Sequence, residues 1–235
     1  MSDAQIGRTT AQIVVEHKQL DAGNIGRILG VEPSKVVAAR SEKHKGRFKI
    51  RLEGGTPVGA PFLLDELVNR LLDRVPRDAE PWQRLRDSGH SVRLWLRCEL
   101  EPLLTFSFEL KAPTVARLAP LRPQLVVVLE RCDEENGAAN SLTHVGEVAL
   151  LVRNEDGDKS RCEKFALPDE NPNLELHERT RAFLEANPPI AGDCEVRFSF
   201  TACHMSRRVV LPAPLVESLG GRSLNVGFWF YDWEE

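Results

Sequence analysis

The chain has 235 residues, of which 42% are hydrophobic and 28% charged, and its formal net charge is −4. This composition is ordinary for a globular protein with one large or two small domains, long enough to fold without a metal or disulfide. The five cysteines are odd in number and lack C-x-x-C spacing, which argues against a disulfide framework. With no apolar leader and no long apolar run, we expect a cytoplasmic protein without a membrane segment, and we do not expect nucleic acid as a partner.

The first residues predict a strand followed by a short capped helix. Thr10 to Glu16 is rich in apolar and β-branched residues and reads as a strand. Asp21 can cap a helix that carries Ile25 and Leu29, and Gly30 is the residue type that ends one. The N-terminal region is therefore predicted to contribute a strand and a helix ahead of a larger unit.

Residues 35–51 form a basic stretch whose second part alternates in polarity. Phe48, Ile50 and Leu52 are predicted to face one way along an antiparallel or edge strand, with basic residues on the other side. The basic face can be a solvated surface that blocks edge-to-edge pairing, or it can be a site for an anionic ligand. The candidate ligand-binding residues are Arg40, Lys43, Lys45, Arg47, Lys49 and Arg51.

A helix over 61–75 follows, with an apolar stripe at helical spacing, and a shorter helix over 80–87 comes next. Strands are predicted over 91–99, 103–110 and 124–130, with an Ala-Pro helix before the last. Counted from the basic strand, the order is β, α, β, β, α, β. That is the order of a ferredoxin-like unit, and it predicts an α+β fold with mainly antiparallel sheets and helices on one face.

The polar segment 133–143 is the best candidate for a linker. It divides the chain into a predicted N-terminal unit, 1–132, and a shorter C-terminal unit, 144–235. Within the second unit, a hairpin over 145–167, a helix and a further strand–helix–strand run repeat the β, α, β, β, α, β order.

Two short segments support an internal repeat. Leu110 to Leu118 reads LKAPTVARL, and Leu211 to Leu219 reads LPAPLVESL. Each lies between two apolar strand-like stretches, and proline suits the first turn of a helix. The agreement of flanking elements predicts that the two halves of the chain are related units.

The first half also resembles a bacterial family known as domain of unknown function 4279. The resemblance lies in Leu20-Asp21-Ala22 opening a helix, the turn Leu29-Gly30-Val31-Glu32-Pro33-Ser34, the basic-glycine step Lys45-Gly46 and the long leucine-rich helix. It covers about residues 10–131, and the second half would be a degenerate relative. The resemblance implies a fold and carries no catalytic residues.

Catalytic and metal-binding motifs are absent from the sequence. It contains no G-x-G-x-x-G, no P-loop, no H-E-x-x-H and no G-x-S-x-G. The nearest approach to a metal cluster is Cys203-His204, but neighbouring strand residues point to opposite faces and could not share a zinc ion without a bulge. We predict no catalytic residue, no metal and no cofactor, and we interpret the cysteines as small core residues.

The C-terminal strand is unusually aromatic. Alternation places Phe228 and Phe230 on one face and Trp229, Tyr231 and Trp233 on the other. Such a strand is either buried on both sides or offers an interaction surface, since Trp and Tyr are favoured interface anchors. Trp229, Tyr231 and Trp233 are therefore the candidate interface residues.

Two functions remain open from sequence alone. The first is a non-enzymatic binding or interaction module for a protein partner or a second copy, of which an immunity-type protein is one concrete form. The second is a small-molecule binder or enzyme that acts on an anionic ligand through the basic face of residues 40–51. A basic cluster around one pocket would favour the second, and a flat apolar surface near Trp229 and Trp233 would favour the first.

Overall fold

The computed structural model of the chain describes residues 6–40, 44–54, 64–100, 105–131, 146–153, 159–166, 172–186, 195–202, 207–222 and 224–232. These residues form an α+β fold, which confirms the predicted class. The strands are β1 (Ile6–His17), β2 (Lys35–Val37), β3 (Gly46–Gly54), β4 (Ser91–Leu100), β5 (Thr105–Leu110), β6 (Gln124–Arg131), β7 (Gly146–Arg153), β8 (Lys159–Ala166), β9 (Glu195–Ala202), β10 (Arg207–Leu211) and β11 (Asn225–Asp232). The helices are α1 (Ala22–Leu29), α2 (Leu64–Leu72), α3 (Ala79–Asp87), α4 (Ala112–Leu118), α5 (Pro172–Ala186) and α6 (Ala213–Gly221).

The predicted caps of α1 are confirmed. The Asp21 carboxylate accepts a hydrogen bond from the Asn24 backbone N–H at 3.0 Å, which satisfies one of the free donors of the first turn. Gly30 follows the helix in the left-handed conformation, with φ of 65°, where glycine has no steric cost. The helix therefore begins and ends where these two residue types require.

The strands form two sheets. The first has the order β10-β6-β4-β1-β3-β2, and the second has the order β5-β11-β9-β7-β8. Both are mainly antiparallel, with parallel pairing only between β4 and β6 and between β9 and β11 among the described strands. The predicted hairpin of the second half is confirmed, since β7 pairs with β8 in antiparallel register.

The alternation predicted for the basic strand is confirmed in β3. Phe48 and Ile50 are buried, Leu52 is partly buried, and Arg47 and Arg51 are exposed on the opposite face. The strand is antiparallel to both neighbours, β1 and β2, and the short β2 forms the edge of the sheet. One face of the first sheet is therefore apolar and the other carries charge.

Helices cover the apolar face. The predicted stripe of α2 is buried, and this helix packs on β1 and β3 of the first sheet and on β5 of the second. α6 packs on β6 and α4 packs on β11, so the two sheets share one continuous hydrophobic core. Trp82 of α3 is fully buried in this core, and its indole N–H donates to the Pro76 carbonyl at 3.0 Å.

The ferredoxin-like arrangement is not confirmed, because β5 does not join the sheet that contains β4 and β6. It pairs instead with β11 of the second sheet, while β10 crosses in the other direction and pairs with β6. The two crossings match in register: a shift of 101 positions relates the pair Leu110–Val226 to the pair Leu211–Leu125. Each sheet thus ends on a strand that belongs to the other half of the sequence.

The helices that follow the exchanged strands meet closely. α4 and α6 are in contact, and a Cβ added to Gly220 would lie 2.7 Å from the Val115 carbonyl oxygen. At the end of the pair, Arg122 forms an ion pair with Glu217 at 2.6 Å. The contact joins the two halves of the chain, while the predicted linker, 133–143, lies outside the described residues.

Candidate binding face

The outer face of the first sheet, opposite the core, collects basic side chains from three strands. In β3 these are Arg47, Lys49 and Arg51, as the sequence predicts. The antiparallel register places Lys35 of β2 directly opposite Lys49, on the same side of the sheet. Arg93 and Arg97 of β4 complete the set. We call this group the basic face, and its members are Lys35, Arg47, Lys49, Arg51, Arg93 and Arg97.

Strand register determines how these charges are spaced. Val14 of β1 lies opposite both Lys49 and Arg93, so one row across the sheet reads Lys35, Lys49, Val14, Arg93. With neighbouring strands about 4.8 Å apart, the row from β2 to β4 spans about 14 Å. Along β3, Arg47 and Arg51 are about 13 Å apart. The basic face is therefore broad.

Lys49 lies near the centre of the basic face, and its pKa reflects the charges around it. Burial lowers the pKa of Lys49, and the nearby charges of Arg47, Lys35 and Arg51 lower it further, while Glu16 raises it. The negative charge of a bound anion would counteract the effect of these positive charges on the pKa of Lys49. Anion binding is therefore expected to bring the Lys49 ammonium back toward its ordinary pKa.

One carboxylate is buried within the basic face. Glu16 of β1 has a side chain only 4% exposed, and its two oxygens contact two different arginines. Oε1 accepts from Arg47 Nε at 3.0 Å, and Oε2 lies 3.1 Å from a terminal nitrogen of Arg93. The guanidinium groups of β3 and β4 are thereby held on either side of β1. We call these three residues the Glu16 clamp.

The predicted ligand-binding residues do not all join this face. Arg40 and Lys45 are exposed but lie in the segments that connect β2 to β3, outside the strands. Lys43 lies outside the described residues. The part of the prediction that the structure brings together is therefore Arg47, Lys49 and Arg51, because strict alternation is enforced only inside β3.

Two arginines of the basic face were missed by the sequence analysis. Arg93 and Arg97 belong to a segment that alternates as regularly as β3, with Val92, Leu94 and Leu96 buried on the opposite face. The same period of two could have placed both arginines on the outer side of a strand. That β4 lies next to β1, and so near the charges of β3, could not be predicted from alternation alone.

The aromatic C-terminal strand lies inside the second sheet. β11 pairs with β5 on one side and β9 on the other, so it is not an edge. Phe228 is fully buried and stacks on Phe108 of β5, with ring centroids 4.8 Å apart. Trp229 and Tyr231 lie on this strand, the side-chain surroundings of both fall outside what the structure describes, and Trp233 lies beyond the described residues.

The interpretation of cysteines as core residues is confirmed for Cys98, which is fully buried in β4. Burial raises the pKa of its thiol to about 12, although the neighbouring Thr9 side chain acts in the other direction. The Cys203-His204 candidate lies outside the described residues. Within the described ranges, no three His, Cys, Asp or Glu side chains are grouped so that they could hold a metal ion.

A pair of histidines lies where β1 ends and β4 begins. The rings of His17 and His90 stack with centroids 4.4 Å apart. The Leu85 carbonyl, 3.1 Å from His90 Nδ1, can only accept, so this nitrogen carries the proton. Burial lowers the pKa of His90, the proximity of His17 lowers it further, and the bond to the Leu85 carbonyl raises it.

Comparison of the chain with models of known families, with curated proteins and with solved structures finds no match. Among the helices of the described ranges, none combines the length and apolarity needed to cross a bilayer. Guanidinium and ammonium groups can hold oxyanions by charge and by directed hydrogen bonds.

Proposed function

We propose that this protein is a non-enzymatic binding module whose basic face docks an acidic surface of a partner protein. The observation that carries the proposal is the concentration of six basic side chains on one sheet face, against two acidic ones, Glu16 and Glu53, among the outer-face side chains described. Four of the six are exposed. Complementary charge of this kind speeds encounter and selects the partner.

The dimensions of the basic face favour a protein over a small ligand. Its charges extend over about 14 Å across the strands, which exceeds what one carboxylate or phosphate group can contact. A partner surface with several Asp or Glu side chains could contact Lys35, Lys49 and Arg93 together. Because the chain as a whole carries a net charge of −4, a second copy of the same chain would also present acidic side chains to the basic face.

A small anionic ligand is the second candidate, and the environment of Lys49 is the observation that favours it. The pKa of this side chain is lowered by burial and by three basic neighbours, which is the setting in which a single bound anion gains most. In this alternative, a phosphate or carboxylate group would bind at the centre of the basic face, and an enzymatic role would need a base nearby.

The sequence also leads to proposals about the origin, family, location and role of the protein. An origin by internal duplication is supported by the matched register of the two exchanged strands, Leu110–Val226 and Leu211–Leu125. Membership of the domain of unknown function 4279 family, a bacterial origin, a cytoplasmic location and an immunity-type role remain proposals. The Trp229, Tyr231 and Trp233 surface is likewise proposed as a second contact region.

Binding of fluorescently labelled poly-L-glutamate, measured by anisotropy at low salt, tests the proposal. A variant with Lys35→Ala and Lys49→Ala should bind roughly tenfold more weakly. The matched control carries Arg77→Ala and Arg84→Ala, which remove the same amount of positive charge. Arg77 lies just before α3 and Arg84 lies within it, and both are exposed and paired with an acidic residue, Asp73 or Glu80. The control should bind as the wild type does.

The alternatives give different results. Equal weakening by both double variants would show attraction by net charge alone and would count against the basic face. Saturable binding of inorganic phosphate with no binding of poly-L-glutamate would favour the small-ligand candidate. Concentration-dependent dimerisation that is abolished by the Lys35/Lys49 variant, measured by sedimentation, would identify a second copy as the partner.

A further inference from the structure

Within the basic face, we infer that the Glu16 clamp is the point at which a carboxylate of the acidic partner is seated. Arg47 and Arg93 would hold the incoming carboxylate, and Glu16 would act as a positioning residue that does not touch it. This inference rests on the proposed function and assigns it a specific contact. Its ligand chemistry is an aspartate or glutamate side chain.

The geometry separates the two roles. Glu16 is 4% exposed, whereas the side chains of Arg47 and Arg93 are 48% and 27% exposed. An incoming group can therefore reach the guanidinium groups but not the carboxylate beneath them. Each guanidinium carries five N–H donors in a rigid plane, so one contact with Glu16 leaves further donors for a ligand.

The buried carboxylate restricts the motion of both arginines. An arginine side chain loses substantial rotamer freedom when a ligand immobilises it, and that loss weakens binding. Because Glu16 already holds Arg47 through Nε and Arg93 through a terminal nitrogen, part of this loss occurs on folding. The two arginines also come from different strands, β3 and β4, whose spacing is fixed by β1 between them.

Removal of the negative charge of Glu16 should change the binding affinity in opposite directions under the two explanations of anion binding. A face that attracts anions by charge alone becomes more positive when Glu16→Gln removes one negative charge, so its binding should tighten. A face that depends on two positioned arginines loses the group that holds them, so its binding should weaken. The two explanations thus predict opposite changes for one nearly isosteric substitution.

The experiment measures poly-L-glutamate affinity and its salt dependence for the wild type, Glu16→Gln, Arg93→Lys and Arg84→Lys. We expect Glu16→Gln and Arg93→Lys each to weaken binding roughly tenfold, the effect of losing charge-assisted hydrogen bonds. Arg84→Lys makes the same chemical change at an arginine of α3 that pairs with Glu80 outside the basic face, and it should leave the affinity within about twofold. Because Arg93→Lys keeps the charge, the salt dependence should stay unchanged while the affinity falls.

Two failures can be told apart. Tighter or unchanged binding by Glu16→Gln, with Arg93→Lys and Arg84→Lys behaving alike, would overturn the clamp and leave the basic face intact. Absence of wild-type binding to poly-L-glutamate would overturn both the proposed function and the clamp. If Glu16→Gln fails to fold, as judged by thermal unfolding, the comparison of Arg93→Lys with Arg84→Lys still decides between the two explanations.

Discussion

The carbonyl oxygen of Val115 on α4 lies 2.7 Å from the position that a Cβ on Gly220 of α6 would occupy. Real Cβ atoms do not approach backbone oxygen this closely, so the two helices can cross here only because residue 220 has no side chain. The shift of 101 positions that relates the exchanged strands relates Gly220 to Ala119, whose Cβ is also close, at 3.1 Å. Two positions that this shift relates therefore lie next to each other at the contact between the helices.

Substitution of Gly220 by alanine should destabilise the protein. In a helix, alanine is more favourable than glycine by about 1 kcal/mol. The added methyl group must, however, displace the backbone of α4, which typically costs about 1 to 3 kcal/mol. We expect the free energy of unfolding to fall by up to about 2 kcal/mol, measured by urea denaturation. Gly221→Ala is the matched control, because no atom lies within 4 Å of its Cβ position.

Gly221→Ala should leave the stability unchanged or raise it by up to about 1 kcal/mol. Equal effects of the two substitutions would contradict the close crossing of α4 and α6. Comparison of the two variants separates two effects on stability. Both variants gain helix propensity, but only Gly220→Ala disturbs the contact with Val115.

Cleavage of the chain between its halves should leave the fragments associated. β5 lies in the second sheet and β10 in the first, so each sheet depends on a strand of the other half. A protease site inserted into 133–143 and cut in the folded protein allows the test. Size-exclusion chromatography and native mass spectrometry should find both fragments in one particle, and separation without denaturant would contradict the exchange.

Stability should fall as the pH drops below the ordinary histidine pKa. The folded-state pKa of His90 is lowered by burial and by His17, so the unfolded chain binds its proton more readily. The stabilisation is complete above about pH 6.5 and is lost as the pH falls from there toward the lowered folded pKa. Urea midpoints between pH 7.5 and 5.5 would measure this trend.

His90→Asn keeps a side-chain donor for the Leu85 carbonyl but cannot titrate, so its stability should depend less on pH than that of the wild type. His17→Asn should reduce the same dependence partly, because it removes one cause of the lowered pKa. His44→Asn, at an exposed histidine, should retain the wild-type trend. A wild-type pH profile in His90→Asn would exclude His90 as its source.

Cys98 should resist alkylation in the native protein. The thiolate is the reactive form, and burial raises the pKa of this thiol to about 12. Iodoacetamide at pH 8 followed by peptide mapping should leave Cys98 unmodified until urea unfolds the chain. Rapid modification of Cys98 under native conditions would show that β4 opens far more readily than its full burial indicates.

The sequence predicted those features that depend on neighbours along the chain. Alternation in β3 placed Phe48 and Lys49 on the correct faces, and Asp21 and Gly30 marked the ends of α1. The pairing of strands across a sheet could not be predicted in this way, because the apolar face of β5 is compatible with any sheet that offers an apolar neighbour. Its pairing with β11, more than a hundred residues away, is a choice among competing long-range contacts.

The candidate site was predictable to the same extent. Three of its basic residues follow from the alternation of one strand, and Arg93 and Arg97 follow from that of another. Their convergence depends on β1 lying between β3 and β4, and so does the burial of Glu16. No local pattern distinguishes a carboxylate that clamps two arginines from one that faces water.

The exchange of strands also constrains how the protein is made on the ribosome. When β6 has been synthesised, the edge that β10 will cover still exposes Val126, Val127 and Val128, a run suited to pairing with another chain. β10 begins about 75 residues later, which at ordinary rates of synthesis is a delay of roughly 4 to 15 s. During that interval the nascent chain carries an open sheet edge, and a chaperone that shields extended apolar segments would act at this stage.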